Sequence, residues 1–154
     1  MKVNRADGYI SVESPALVSL GGFISAGIYG AKHARAMAFW PLIIFRNREQ
    51  MQPWIFNHEK IHLRQQADLF LVGHWLLFIA EFTWIVFFKR RPWADFPVWN
   101  SGEQEAYRNQ QDFEYLKNRK RFAQFWYLTH KREFIFGKPG EIVFNDAKAK
   151  NYDI

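Results

Sequence analysis

Two histidines and a glutamate in the stretch "NHEKIHLRQQ", residues 57–66, have the types and spacing of a metal site. On a helix, residues i and i+4 lie on one face, so His58 and His62 can direct an imidazole nitrogen at the same point. Glu59 would lie beside that point, where it suits a base that takes a proton from a water molecule activated by the metal. The stretch is a complete HExxH motif and predicts hydrolytic chemistry at a Zn²⁺ ion. The competing interpretation is a helix with two surface histidines and a solvated carboxylate.

A hydrolytic zinc site needs a third protein ligand and an open fourth position. Two carboxylates downstream, Glu103 and Glu105 in "SGEQEAYRNQ", are the candidates. On one helix they would point about 160° apart, so both cannot reach the same ion.

The HExxH motif and the pattern Glu103-x-x-Ala106 together resemble gluzincin-type metallopeptidases. Within that group they resemble the membrane metallopeptidases of the prenyl-protein protease and heat-shock protease type, and the small minigluzincins, over roughly residues 35 to 116. The resemblance implies zinc-dependent hydrolysis of a peptide or protein substrate. The implied Zn²⁺ ligands are His58, His62 and Glu103, with Glu105 as the fallback third ligand. Glu59 would be the general base and later the proton donor.

The residue after Ala106 departs from the family pattern. The resembled enzymes usually have an aspartate there, which hydrogen-bonds a zinc-binding histidine, and this chain has Tyr107. Tyr107 lies one helical turn from Glu103, so its phenol would orient an imidazole or stabilise an oxyanion. The alternative is a tyrosine that only packs between helices.

The elements that position these residues predict an α+β, zincin-like fold in a single domain over 1–154. Residues 8 to 46 mix β-branched and aromatic residues with glycine and proline, and predict two or three strands without a helix. Residues 36 to 45 are the candidate edge strand for substrate, or else a core strand. Pro53 begins the active-site helix. Residues 103 to 130 predict a last long helix carrying the glutamate, and two short strands should flank the "GKPG" turn.

An apolar segment, residues 69–88, follows the active-site helix and is followed in turn by "KRR". A straight helix over 54–88 would extend about 50 Å and leave too little chain for Glu103 to return to the histidines. We therefore expect a reversal near Gly73 and an antiparallel helix pair, with an apolar hairpin that dips into one leaflet or packs against a partner.

His74 and Glu81 are the ionisable residues of this apolar segment. They lie seven residues apart, near one helix face, so they should point into the protein, where they would form a polar pair.

Composition narrows the partners and the site chemistry. The chain has no cysteine, which excludes disulfides, thiolate zinc sites and a cysteine nucleophile. A net charge of +6 and an aromatic share of 19% favour an anionic, interfacial partner. The basic aromatic segment 114–132 lacks a nucleic-acid motif, so a membrane lipid or membrane-protein partner is favoured over nucleic acid.

Two functions are carried forward. The first is a membrane-associated zinc metallopeptidase whose site faces the cytoplasm, since the N-terminus carries no recognisable export signal. The second is a catalytically silent, zincin-like structural or interaction subunit of a membrane or virion assembly.

Overall fold

A computed structural model describes residues 3–6, 9–136 and 142–144 and shows an α+β fold. Four strands form a mixed sheet in the order β1-β2-β4-β3, in which β2 and β4 are parallel and the other pairs are antiparallel. These strands are β1 (Val3–Ala6), β2 (Tyr9–Glu13), β3 (Ala36–Phe39) and β4 (Leu42–Phe45). The prediction of two or three strands within residues 8–46 is confirmed by β2, β3 and β4.

The expectation that no helix interrupts this region is wrong, because α1 (Pro15–His33) lies between β2 and β3. Ser14 caps it by accepting a hydrogen bond from the Leu17 amide, and proline stands at its first position. The helix is broken at Ala26 and Gly27, where Gly27 has φ +60°.

The chain doubles back at this break, so α1 is a helical hairpin. Gly22 and Gly30 face each other across it so closely that a Cβ on either would overlap the carbonyl of the other. Only glycine permits two helical backbones to approach in this way. His33, at the end of α1, is exposed.

The helix that carries the HExxH motif, α2 (Pro53–Asp68), begins at the predicted proline. It is followed by α3 (Val72–Phe82), which continues as a π-helical turn over Thr83–Phe88. The two helices are bent by 107° at the break between them. Among the described residues, no single helix is long and apolar enough to cross a membrane, and α2 and α3 satisfy that test only as this bent pair.

The position and angle of the predicted reversal are corrected by the structure. Phe70 and Leu71, not Gly73, make the turn, both with positive φ. The helices cross nearer to perpendicular than antiparallel. A sequence rule that looks for glycine at a turn misses such a break, since non-glycine residues rarely adopt positive φ.

The prediction that His74 and Glu81 point inward is confirmed, because both are buried. They do not pair with each other. The Glu81 carboxylate instead accepts hydrogen bonds from Asn100, Ser101 and Lys131.

The predicted long helix over 103–130 is a series of short ones. These are α5 (Ser101–Asn109), α6 (Tyr115–Asn118) and α7 (Trp126–Thr129), and a further short helix, α4 (Phe96–Trp99), precedes them. The breaks turn Arg119 inward and give Phe122 a left-handed backbone. Strands β5 (Phe134–Phe136) and β6 (Ile142–Phe144) pair antiparallel as predicted, while the "GKPG" turn lies outside the described residues.

The sheet and α2 share one apolar core, made by Ile43 and Phe45 of β4 and by Ile55 and Leu63 of α2. This packing holds α2 against the sheet, and α5 packs against α2 from another side. The HExxH helix is therefore held between the sheet and the glutamate-bearing helix.

Candidate metal centre

His58 and His62 face one another on α2, one helical turn apart. Their Nε2 atoms are 3.1 Å apart and their ring centroids 4.8 Å apart. Two imidazole nitrogens at this separation are directed at a common point, as the i, i+4 spacing predicts.

Glu103 brings a carboxylate from α5 to that point. Its Oε2 lies 3.4 Å from His58 Nε2, and its Oε1 lies 3.6 Å from His62 Nε2. The donor atoms of the three side chains all lie within 4.8 Å of one another. Among the described residues, they form the group of His and carboxylate side chains suited to hold a metal ion.

Glu105, the fallback third ligand, does not reach the histidines. Its carboxylate is fully buried, forms an ion pair with Arg119, and accepts hydrogen bonds from Tyr115 and Gln65. Its environment satisfies the charge completely, which leaves it no capacity to serve the ion directly. Glu105 acts on the site indirectly, because it accepts a hydrogen bond from Gln65, which in turn accepts one from His62.

Gln65 fixes the tautomer of His62. The Gln65 Nε2 donates to the Gly102 carbonyl and to the Glu105 carboxylate, both of which can only accept. The amide oxygen therefore faces His62, 2.8 Å from Nδ1, so Nδ1 must carry the hydrogen. Nε2 is left as the nitrogen whose lone pair can bind a metal.

His58 is oriented in the same way by Gln110, whose Oε1 lies 3.1 Å from Nδ1. The neighbouring Asn57 side chain donates to the carbonyls of Asn109, Gln110 and Asp112. These bonds tie the start of α2 to the end of α5 and hold Gln110 beside His58. Sequence reasoning missed Gln110, because no spacing rule links it to the motif.

The other end of α5 is anchored by Asn100 and Glu81. The Asn100 side chain caps α5 by accepting from the Glu103 amide. Glu81 binds the Asn100 side chain together with the amide and hydroxyl of Ser101. Both ends of the short helix are therefore fixed, and with them the position of Glu103.

In the metal-free protein, the charges of His62 and Glu103 strongly affect one another. Burial alone would lower the pKa of His62, but the facing Glu103 carboxylate outweighs it and raises the pKa to about 9. Burial alone would raise the pKa of Glu103, but the charged His62 imidazole, helped by the facing His58, holds it well below its usual range. In the metal-free protein a proton near His62 Nε2 thus holds the group together.

Glu59 is buried beside the three candidate ligands, and its Oε2 has no hydrogen-bond partner among the described residues. Burial raises the pKa of Glu59, while the imidazoles of His58 and His62 partly oppose the shift. A buried carboxylate oxygen without a partner is rare in proteins and calls for a ligand or an ordered water. A raised pKa suits a group that must both take and return a proton near neutral pH.

Tyr107 packs its ring against the His58 imidazole, with centroids 4.5 Å apart. Burial raises the pKa of Tyr107 well above its ordinary value, and the Glu103 and Glu59 carboxylates add to the effect. Its hydroxyl is therefore a hydrogen-bond donor at neutral pH. The structure places Tyr107 in the site, and its predicted role as orienting or oxyanion-binding group stays a prediction.

Helix α3, which packs against α2, carries another buried histidine. His74 is buried there, its Nδ1 has no hydrogen-bond partner among the described residues, and burial lowers its pKa to about 4. The charge of His62 adds to this shift in the pKa of His74, and the Glu103 carboxylate opposes it.

Strand β3, the predicted substrate-binding strand, is an edge of the sheet within the described residues and packs beside α2. The side chain of Gln66 accepts from the Trp40 amide and donates to the Ala38 carbonyl. With part of the β3 edge, the Gln66 side-chain amide thus already forms the two hydrogen bonds that the backbone of a paired peptide would form.

Comparison of the chain with protein-family models, with curated proteins and with solved structures finds no match.

Proposed function

We propose that this protein is a zinc-dependent metallopeptidase of gluzincin type that hydrolyses peptide bonds. The observation that carries the proposal is the convergence of His58, His62 and Glu103, from two separate helices, within 4.8 Å. The order of sheet, HExxH helix and glutamate-bearing helix supports a zincin-like architecture.

The chemistry of the donor set fits Zn²⁺. Two imidazoles with protonated Nδ1 atoms and one carboxylate are ligands that zinc binds in hydrolytic sites. The Glu103 side chain is 23% exposed, although its Oε2 is buried, so part of the third candidate ligand lies at the protein surface. A purely structural zinc site is closed by four protein ligands, and three ligands with solvent access support hydrolysis instead. Zinc, when bound, would supply a Lewis acid that makes a water molecule more acidic.

Glu59 then acts as the general base. Its partner-free oxygen accepts the proton of the attacking water, and the raised pKa lets it return that proton to the leaving amine. Glu59 follows His58 directly in sequence, so it lies beside the ligand group without being part of it. The Tyr107 hydroxyl, protonated at neutral pH, would donate to the oxygen on which charge develops.

A Glu59→Gln variant tests the assignment. The amide keeps the size of the side chain but cannot accept the proton, so we expect one bound zinc per chain and a loss of about 10²- to 10⁴-fold in the cleavage of a quenched peptide library. The control is Glu49→Gln, which removes an exposed carboxylate outside the site and should leave both quantities unchanged.

Metal analysis of the wild type separates the alternatives. Zinc with cleavage that survives in Glu59→Gln would refute the role of Glu59. Wild type that contains no zinc after expression in zinc-supplemented medium, and takes none up, would refute the metal site itself.

The second candidate is a zincin-like subunit that keeps the metal but does not cleave. It is favoured by the exposed apolar surface, since the large exposed hydrophobic residues outnumber the buried hydrophobic ones in the described part of the chain. Zinc-loaded wild type that cleaves no member of the library would support this role.

A further inference from the structure

The outer face of α3 carries an apolar stripe at helical spacing. Val72, Leu76 and Ile79 are each more than half exposed, and the stripe continues along the π-helical turn with Trp84, Phe87 and Phe88. Val72, Leu76 and Ile79 are spaced by four and three residues, which places their side chains on one side of α3.

The inner face of the same helix holds its ionisable groups. His74 and Glu81 are buried together with Ile85, at the same helical spacing. A helix on the surface of a water-soluble protein buries its apolar stripe and exposes its charges. This helix does the reverse, which is the arrangement expected when the medium outside is apolar.

The hairpin α1 extends this outer surface. The ring of Trp93 lies 5.4 Å from the ring of Phe23, and its indole nitrogen donates to the Ile24 carbonyl. On its other side Trp93 contacts Phe82, which in turn contacts Phe87. Since Phe23, Ile24 and Phe87 are exposed, the hairpin tip and the helix stripe form one continuous apolar surface.

Charge around this surface is mainly positive, with Asp95, two residues after Trp93, as a nearby acid. Residues 14–48 contain no Asp or Glu, and between residues 69 and 94 the single acid is Glu81, which is buried. Lys89 and Arg90 are exposed where the stripe ends, and Lys32 and Arg35 are exposed after the hairpin. Aromatic residues rim the surface, with Lys89 placed over the Trp84 ring. This combination complements an anionic lipid headgroup layer.

We propose that the outer faces of α3 and of the α1 hairpin insert together into one leaflet of an anionic lipid bilayer. The protein lies in the plane of the interface, with Lys89 and Arg90 at the headgroups. The inference stands apart from the proposed peptidase activity, because it uses the outer face of α3 and none of the candidate ligands.

Flotation with lipid vesicles tests the apolar part. Wild type should bind vesicles of phosphatidylcholine and phosphatidylglycerol, and the double variant Ile79→Gln, Phe87→Gln should bind at least about tenfold more weakly for each residue changed. The matched control, Phe113→Gln with Phe125→Gln, removes two exposed rings outside the surface and should bind as wild type.

The charged part is tested in the same assay. Lys89→Gln with Arg90→Gln should weaken binding to the anionic vesicles by about fivefold for each charge, roughly thirtyfold together, and the difference should vanish at high salt or on pure phosphatidylcholine. Lys117→Gln with Lys120→Gln, which removes two exposed cations elsewhere, is the control.

Three results would overturn the proposal. The first is that wild type does not bind anionic vesicles. The second is that the control variants lose as much binding as the surface variants. The third is that wild type self-associates without lipid while the Ile79→Gln, Phe87→Gln variant is monomeric. The last result would assign the surface to a second copy of the chain. A Glu59→Gln protein that loses cleavage should still bind vesicles as wild type, so failure of the peptidase proposal and failure of this one are distinguishable.

Discussion

Replacing Gln65 by leucine should weaken zinc binding without touching a ligand. The change removes the oxygen that accepts from His62 Nδ1 at 2.8 Å, and it also removes the two hydrogen bonds that Gln65 donates to Gly102 and Glu105. The His62 ring then loses the contact that fixes its orientation and its tautomer.

The magnitude follows from burial. Gln65 is fully buried, so its three partners cannot turn to water instead. Loss of a residue that orients a metal ligand raises the dissociation constant about 10- to 100-fold, or roughly 1–3 kcal/mol. The unpaired His62 Nδ1 and Gly102 carbonyl each add about 1–3 kcal/mol of lost folding stability, whereas Glu105 keeps Arg119 and Tyr115.

The matched control is Gln104→Leu. Gln104 is also fully buried and also makes three hydrogen bonds, to the Val98 carbonyl and to the carbonyl and amide of Arg132, but none to an imidazole. Both variants should lose similar stability in urea unfolding of the metal-free protein. Zinc affinity, measured by competition with a chromogenic chelator, should fall in Gln65→Leu and stay within about twofold of wild type in Gln104→Leu.

Equal zinc affinities in Gln65→Leu and wild type would show that His62 does not depend on Gln65. Equal losses in the two variants would show that the effect is one of general stability. Either result refutes the reasoning from the tautomer.

Three further predictions follow from the same contacts. Gly102→Ala should weaken zinc binding and lower stability, because the added Cβ would lie 3.0 Å from Gln65 Oε1. Its control, Gly73→Ala, would place the Cβ 3.5 Å from Leu69 Cβ and should stabilise α3 by about 0.5–1 kcal/mol. Chelator competition and thermal unfolding measure the two effects. The pKa of His74 is about 4 in the folded protein, below its unfolded value. Its contribution to the stability of the metal-free protein is therefore present above pH 6.5 and is lost, by roughly 3 kcal/mol, as the pH falls through 4. In His74→Gln, the unfolding free energy measured by urea titration should lose this part of its dependence on pH. Tyr107→Phe keeps the ring against His58, so zinc affinity should be unchanged while turnover falls about 10²- to 10³-fold; unchanged turnover would leave Tyr107 a packing residue.

The sequence predicts the local part of the site well. A helix beginning at Pro53 and two histidines four residues apart suffice to bring both imidazoles to one face, because the separation of their Cα atoms depends only on helix geometry. Nothing beyond the motif is needed for that step.

The choice between Glu103 and Glu105 needs the tertiary structure. Both lie on α5, and helix geometry says only that they point in different directions. Arg119 makes the difference, because its guanidinium forms an ion pair with Glu105 and not with Glu103. It reaches Glu105 only because the helix predicted over this region is broken before Arg119. The same inward turn of Arg119 explains why the predicted long helix fails.

The missed hairpin α1 has a related cause. Its glycines and exposed apolar residues give it no stripe facing a core, which is the signal that identifies a helix on a soluble protein. The chain stabilises it by backbone contact between Gly22 and Gly30, and no periodicity rule detects such a contact. The turn at Phe70 and Leu71 is not predicted either, because these two bulky residues adopt the positive φ that sequence rules expect of glycine.

The relay from Arg119 through Glu105 and Gln65 to His62 has a consequence for the timing of maturation. It joins residues that leave the ribosome far apart, so a nascent chain that already displays both histidines still lacks the support that aligns them. Competence to hold a tightly bound ion arises only once the segment beyond α5 has been synthesised and folded back. The proposed peptidase activity would then be absent from a growing polypeptide until this later segment has appeared.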